Sequence, residues 1–267
     1  MRIGDTGFNV RRAGDGPPFL WAHGMTNNIE TEDWLGWFDW NSFPESVRLI
    51  RYDARGHGVS DPCSEPEAYR WTRLADDMLA LADGLGIDRF VAGGASMGAS
   101  TAIYAAMKQP DRVGGLVLVI PPTAWETREA QADGYRASAR LAAEVGSAAL
   151  ADMVRAQAHE FLAPWMLTDA PQMIEGAARG LLAQTTESLE ALYLGAGMSN
   201  LPDPTEFDLI AHIPTLILPW TDDPGHPVST AERLHDLLPN SELVVEEGLA
   251  GLQAFPRRIR DFVVAHT

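Results

Sequence analysis

Cysteine is all but missing from this 267-residue chain: Cys63 stands alone, so no intramolecular disulfide can form. It follows Asp61-Pro62 in a loop-like stretch, where an unpaired thiol is a better reading than a nucleophile. No apolar run approaches the length of a membrane span, and Met1-Arg2-Ile3-Gly4-Asp5 lacks the apolar stretch of a signal peptide. The expectation is a reduced, cytoplasmic setting. Positive charge is scarce as well. Twenty Lys and Arg residues face 37 Asp and Glu, for a formal net charge of −17. The densest basic spot, Arg257-Arg258 with Arg260, reads as a solvated helix face. This balance argues against nucleic acid or a membrane as partner, since both are held through phosphates or anionic headgroups. H-E-x-x-H, cysteine sets and a P-loop are absent, and Gly93-Gly94-Ala95-Ser96-Met97-Gly98 does not fit a dinucleotide fingerprint. Asp222, Asp223 and His226 can be written as metal ligands, but so short a cluster is common. No metal and no cofactor are expected.

What is present is an ordinary globular composition, 46% hydrophobic and 21% charged, in a length that suits one large domain with an insertion. Short β-rich runs alternate with helical stretches, which predicts an α/β fold: a mostly parallel central sheet flanked by helices. Strands are expected at Phe8–Arg12, Phe19–Ala22, Val47–Tyr52, Phe90–Gly94, Leu116–Ile120, Thr215–Leu218 and Leu243–Val245. Helices are expected at Pro66–Leu85, Met97–Lys108 and Phe255–Val264. Residues 123–205 change character, being rich in Ala, Met and Glu and broken at Gly146, Pro164, Pro171 and Gly195-Ala196-Gly197. They read as a lid of roughly four helices inserted into a core made of residues 1–122 and 206–267.

The chemical signal lies at Gly94-Ala95-Ser96-Met97-Gly98, where a strand turns sharply into a helix. Such a turn lifts a serine hydroxyl out of the sheet, and the helix N-terminus offers free N–H groups to a developing oxyanion. Further markers follow in order: Trp21-Ala22-His23-Gly24, then Tyr52 to Asp61 (YDARGHGVSD), then Pro214–Leu218 with Asp222-Asp223-Pro224. Together with the elbow they make the chain resemble the α/β-hydrolase family over almost its full length.

That resemblance implies roles. Ser96 would be the nucleophile, the backbone N–H groups of Met25 and Met97 the oxyanion hole, and Asp223 the acid. Asp222 is the less favoured neighbour, and a helix cap near Ser229 is the plainer reading of either carboxylate. His23 and His57 would brace loops beside the site, while His159, His235 and His266 read as solvent-facing. One departure matters. In similar hydrolases a Gly-His pair follows the last strand, whereas here Gly251 precedes Leu252 and residues 246–255 contain no histidine. Losing the base from a working triad costs about 10⁶-fold in turnover. His226, on the loop of Asp223, is the first candidate for a substitute base, although a packed residue in a His226-Pro227 turn is the reading its spacing favours. Less demanding chemistry at Ser96, or binding without turnover, are the other readings.

Trp34, Trp37 and Trp40 recur every third residue, a helical spacing that suggests core packing in a segment where the family builds a pocket wall. Trp37, Trp125 and Trp165 are the candidate substrate-binding residues, with Met153, Met166, Met173 and Met198 adding adaptable apolar surface. The expectation is a hydrolase acting through Ser96 on a small apolar ester, lactone or related acyl compound, with a non-standard triad. The alternative is a non-hydrolytic, receptor-like descendant. Assembly into a homo-oligomer is left open.

Overall fold

The computed structural model describes residues 1–160 and 162–266. A small hairpin of β1 (Arg2–Ile3) and β2 (Thr6–Gly7) precedes the main sheet. That sheet is built from β3 (Val10–Ala13), β4 (Pro18–Ala22), β5 (Arg48–Tyr52), β6 (Phe90–Ala95), β7 (Val113–Val119), β8 (Thr215–Leu218) and β9 (Ser241–Leu243). Its spatial order is β3-β5-β4-β6-β7-β8-β9, with β3 antiparallel to β5 and every other neighbouring pair parallel.

Parallel strands need covered crossovers, and helices supply them on both faces. On one side α2 (Trp71–Gly84) and α3 (Met97–Lys108) join an apolar layer with Leu20, Ile50, Ala92 and Leu118. On the other, α9 (Gly248–Ala265) packs with Phe19, Trp21, Val91 and Val117. Alternation along each strand sends its neighbours into opposite layers. Leu252, Phe255, Ile259 and Val263 form one stripe of α9, each fully buried. Burial of such a side chain contributes roughly 1.5–3 kcal/mol, so this stripe fixes the helix.

Between β7 and β8 the chain leaves the sheet for a helical insertion: α4 (Arg128–Ala156), α5 (Pro164–Asp169), α6 (Gln172–Leu182) and α7 (Thr186–Gly197). The expected breaks have physical counterparts. Gly146 kinks α4 with φ 80°, Pro164 opens α5, Pro171 caps α6, and Gly197 ends α7. Arg128 anchors the insertion from within; its guanidinium donates to the carbonyls of Ser199 and Ala196 and lies 4.3 Å over the Trp71 ring. Two further helices are α1 (Ile29–Leu35) after β4 and α8 (Val228–Leu237) after β8.

Several local expectations need correction. The helix expected at Pro66–Leu85 is interrupted: Pro66–Tyr69 is a 3₁₀ turn, and Arg70 is extended (ψ 139°) before α2 begins. Trp71 N–H there donates to Ser199 Oγ instead of to a preceding turn. The last strand lies at Ser241–Leu243 rather than Leu243–Val245. The final helix starts at Gly248, seven residues before the expected Phe255, and runs through Pro256. Trp34, Trp37 and Trp40 share no helix, because α1 ends at Gly36 in the left-handed region (φ 64°).

Candidate active site

β4, β6 and β8 end at the same edge of the sheet, and the loops leaving them converge. At the end of β6, Ser96 takes φ 54° and ψ −111°, a strained conformation for a residue with a side chain. Such strain costs on the order of 1–3 kcal/mol and persists only where the surroundings enforce it. Close packing enforces it here. A Cβ at Gly94 would come 2.5 Å from the Ala22 carbonyl oxygen, and one at Gly98 would overlap the same group. Only glycine therefore lets α3 start against β4. The Ser96 N–H still pairs with Val119 O at 3.0 Å, so the sheet holds the elbow while its side chain remains half-buried and reachable.

The loop after β8 supplies the partners. Trp220 and Glu246 form a parallel bridge that extends β8 and β9, and Asp222 turns the chain with φ 61°. His226 N–H donates to Asp223 O at 3.0 Å, closing a turn that folds the imidazole back over the carboxylate. His226 Nδ1 lies 2.8 Å from Asp223 Oδ2, and Nε2 lies 2.7 Å from Ser96 Oγ. A carboxylate only accepts, so Nδ1 carries the proton and Nε2 is left to accept the serine hydroxyl. The packed-turn reading of His226 is thereby corrected: the backbone turn exists, but it delivers the ring to Ser96.

Asp223 is held by two further donors. Trp220 Nε1 donates to Oδ2 at 2.7 Å and Gly225 N–H to Oδ1 at 3.1 Å. Burial by itself pushes this carboxyl up, but electrostatic attraction to His226 and the donors from His226, Trp220 and Gly225 outweigh it and hold Asp223 at about 2. Asp223 does not cap α8, whose N-cap is Pro227. Asp222 is exposed and reaches only the Thr221 hydroxyl, at 3.5 Å. Leu252, at the position the resemblance gives to histidine, lies inside α9 and is fully buried. The missing imidazole thus has a packing counterpart: that loop has become helix, and its side chain has joined the core.

Met97 is the first residue of α3, so its N–H has no acceptor four residues back within the helix. Opposite, Gly24 passes close to the elbow, where an added Cβ would stand 3.7 Å from Ser96 Cβ. Gly24 O accepts from Asn27 N in a tight turn whose third residue, Thr26, has φ 58°. Met25 N–H sits within this turn, one residue after Gly24. The turn is fastened behind. Ala54 N–H donates to His23 Nε2 at 3.0 Å, so His23 Nδ1 donates to Gly24 O at 2.7 Å, and Asp53 Oδ1 accepts from Ile29 N at 2.7 Å. His23 is thus a locked brace. His57 is another; its Nδ1 donates to Arg55 O, and burial followed by the neighbouring His23 pushes its imidazole down to about 3. His159 and His235 are exposed as expected, whereas His266 is half-buried, its Nδ1 bonded to Phe262 O.

The tryptophans divide. Trp37 and Trp165 both meet Trp220 edge-on, at 6.2 Å and 5.5 Å between ring centroids, and so border the acid loop. Their indole N–H groups are buried and meet no acceptor among the described residues. Trp125 goes elsewhere. It donates to Pro202 O, packs on Phe207, and lies beneath Arg233 at 4.7 Å, a seam at the base of the insertion. For Trp220 the sequence offers one signal, an indole three residues before the second of two adjacent acids. Among the described residues no cluster of His, Cys, Asp and Glu suited to a metal occurs, and no helix is long and apolar enough to cross a membrane.

Comparison with known proteins agrees with this fold. A family model described as alpha/beta hydrolase fold matches residues 17–250. The chain is 28% identical to 3-oxoadipate enol-lactonase 2 of Acinetobacter baylyi, over 77% of this chain and 72% of that one. It is 26% identical to a probable proline iminopeptidase of Leptolyngbya boryana, over 86% and 80%. Among solved structures, a thermophilic esterase from Thermogutta terrifontis superposes with a TM-score of 0.75 at 25% identity, covering 97% and 94% of the two chains. The enol-lactonase from Burkholderia xenovorans gives 0.76 at 20% identity, with 97% of each chain covered, a likeness of fold. A strand–serine–helix elbow, a mostly parallel sheet carrying a helical insertion, and a family match over most of the length lead to one statement: this chain belongs to the α/β-hydrolase fold family.

Proposed function

We propose that the protein is a serine hydrolase that cleaves small, largely apolar esters or lactones, with Ser96 as nucleophile, His226 as base and Asp223 as its orienting acid. The observation that carries this reading is the hydrogen-bonded line Asp223–His226–Ser96, at 2.8 Å and 2.7 Å. Ser96 Oγ attacks the acyl carbon while its proton passes to His226 Nε2. Negative charge collects on the former carbonyl oxygen, facing the N–H groups of Met25 and Met97, each such donor supplying about 3 kcal/mol. The C–O bond to the leaving group then breaks, and His226 returns the proton to the departing oxygen. Water, deprotonated by the same imidazole, splits the acyl-enzyme and frees Ser96.

Substrate character follows from the surroundings of Asp223: Trp37 and Trp165 gather on Trp220 there and make the setting apolar and aromatic. The names of the relatives, an enol-lactonase and an esterase, favour the same two classes.

The test is covalent labelling by a fluorophosphonate, together with turnover of short p-nitrophenyl esters and of aliphatic lactones. Labelling that disappears in Ser96→Ala, and turnover that falls by about 10⁴-fold or more in His226→Ala, are expected. Tight binding of such compounds with neither labelling nor turnover would make the chain a receptor-like descendant and overturn the proposal.

A further inference from the structure

Helix α6 of the insertion meets the proposed oxyanion turn. Helix α6 presents two glycines one turn apart, Gly176 and Gly180, to the segment that follows β4. Gly176 faces the end of α1, where an added Cβ would meet Leu35 Cδ2 at 2.6 Å. Gly180 faces the oxyanion turn itself: an added Cβ would overlap the carbonyl oxygen of Thr26 and stand 2.9 Å from its carbonyl carbon. Beside this seam, the Arg179 guanidinium lies 4.4 Å over the Trp34 ring of α1.

Thr26 is the residue that most needs holding. Its φ of 58° is disfavoured for a side chain branched at Cβ, yet the turn closed by Asn27 N–H on Gly24 O, which contains the Met25 N–H, depends on it. His23 and Asp53 secure the turn from within the core. The outer side of the Thr26 carbonyl is met by α6. A glycine inside a helix is unfavourable relative to alanine, and its use here has a steric reason, since only a bare Cα allows so close an approach.

We infer that Gly180 is a positioning residue: docked through it, lid helix α6 clamps the Thr26 turn and so holds the Met25 N–H at the place where negative charge develops. The insertion is then part of the catalytic framework as well as a cover. This rests on the proposed role of Ser96 and the oxyanion hole, and the experiment separates the two.

Gly180→Ala and Gly176→Ala place the same methyl group in the same helix. The first meets backbone; the second meets the movable end of Leu35. With a p-nitrophenyl ester, G180A is expected to lower kcat at least tenfold with KM within about twofold, because the hole acts on the transition state and not on bound substrate. Its affinity for a trifluoromethyl ketone, which forms a tetrahedral adduct, should fall in step. G176A should retain both. Equal kcat and ketone affinity in G180A, G176A and the wild-type chain would overturn the inference while leaving Ser96-dependent turnover intact. Absence of that turnover in the wild-type chain would instead defeat the functional reading. If G180A does not fold, Trp34→Ala opens the same seam from an exposed position. A parallel two- to fivefold fall in kcat and ketone affinity then supports the clamp, and no change in either overturns it.

Discussion

The indole of Trp220 and the imidazole of His226 donate to one and the same oxygen, Asp223 Oδ2, at 2.7 Å and 2.8 Å. Trp220 therefore holds Asp223 much as Asp223 holds the His226 ring. It is almost fully buried, and its strand-extending bridge with Glu246 sets where the acid loop begins. With Gly225 N–H on the other oxygen, the carboxylate has little freedom to turn away from the ring.

Replacing Trp220 with phenylalanine keeps an aromatic ring between Trp37 and Trp165 but removes the donor. A hydrogen bond to a charged group is worth roughly 1.5–3 kcal/mol. Trp220→Phe is expected to lower kcat about tenfold, the rate equivalent of about 1.4 kcal/mol. It should also raise Asp223 from its position near 2. Because that carboxyl is depressed in the fold, its stabilising contribution is present above its unfolded value of 3.8 and is lost as pH falls toward 2. The acid-unfolding midpoint of the variant should therefore move upward, as circular dichroism at pH 2–5 would record. An unchanged midpoint with unchanged kcat would show that the bond has no influence.

Asp223→Asn tests the imidazole's orientation separately from its presence. An amide has one oxygen for the three donors that Asp223 accepts, so its NH₂ meets a donor on whichever side it lies, and the negative charge beside His226 is gone. The imidazole then loses both its fixed orientation and the stabilisation of its protonated form. Turnover is expected to fall about 10⁴-fold while fluorophosphonate-independent properties such as substrate-analogue affinity persist. Equal turnover in the asparagine variant would remove Asp223 from the mechanism.

Residues 246–255 raise the question of whether a histidine would still work there. Leu252 sits in α9 among Phe255, Ile259 and Val263, fully buried. Leu252→His would lose apolar burial and introduce a polar ring without an assigned partner, at a cost of about 3 kcal/mol or more. For a chain of this size that corresponds to a fall in Tm of roughly 6–12 °C. In the background of His226→Ala it should not restore turnover. Restored turnover would mean that α9 opens readily into a loop.

The contrast between these two histidine positions explains what could be read from the chain. Gly94, Ser96 and Gly98 announce the elbow because the residues that answer its constraints are contiguous: a strand ends, a helix begins, and the close approach of Ala22 leaves room only for glycine on either side. Helix α3 accordingly spans the expected Met97–Lys108, and the insertion breaks where glycine and proline break helices. His226 could be named but not assigned, because its partner lies 130 residues away and the outcome depends on how one short loop closes. Trp34, Trp37 and Trp40 misled for a related reason. Gly36 ends the helix between them, which sends one ring outward over Arg179, one to Trp220 and one into the core beneath Arg51. Trp125 could not be placed from sequence either, since its partners Pro202, Phe207 and Arg233 arrive only when the insertion returns to the sheet.

His57 makes the fold itself sensitive to acid. Its ring is wholly buried beside His23, at 4.9 Å between centroids, and is held neutral down to about 3 against an ordinary value of 6.5. An unfolded chain takes up a proton there as pH drops below 6.5, whereas the folded chain does not until about pH 3. Stability is thus complete above the unfolded value and falls steadily between the two. At pH 5 the loss from this one ring amounts to about 2 kcal/mol. Urea denaturation at pH 7 and pH 5 should show that loss in the wild-type chain. His57→Asn, destabilised at both values by the altered packing, should show a difference between them smaller by about that amount. An identical difference in both proteins would mean that the buried ring already carries its proton at pH 5, and that the loop from Asp53 to Ser60 opens to let it in.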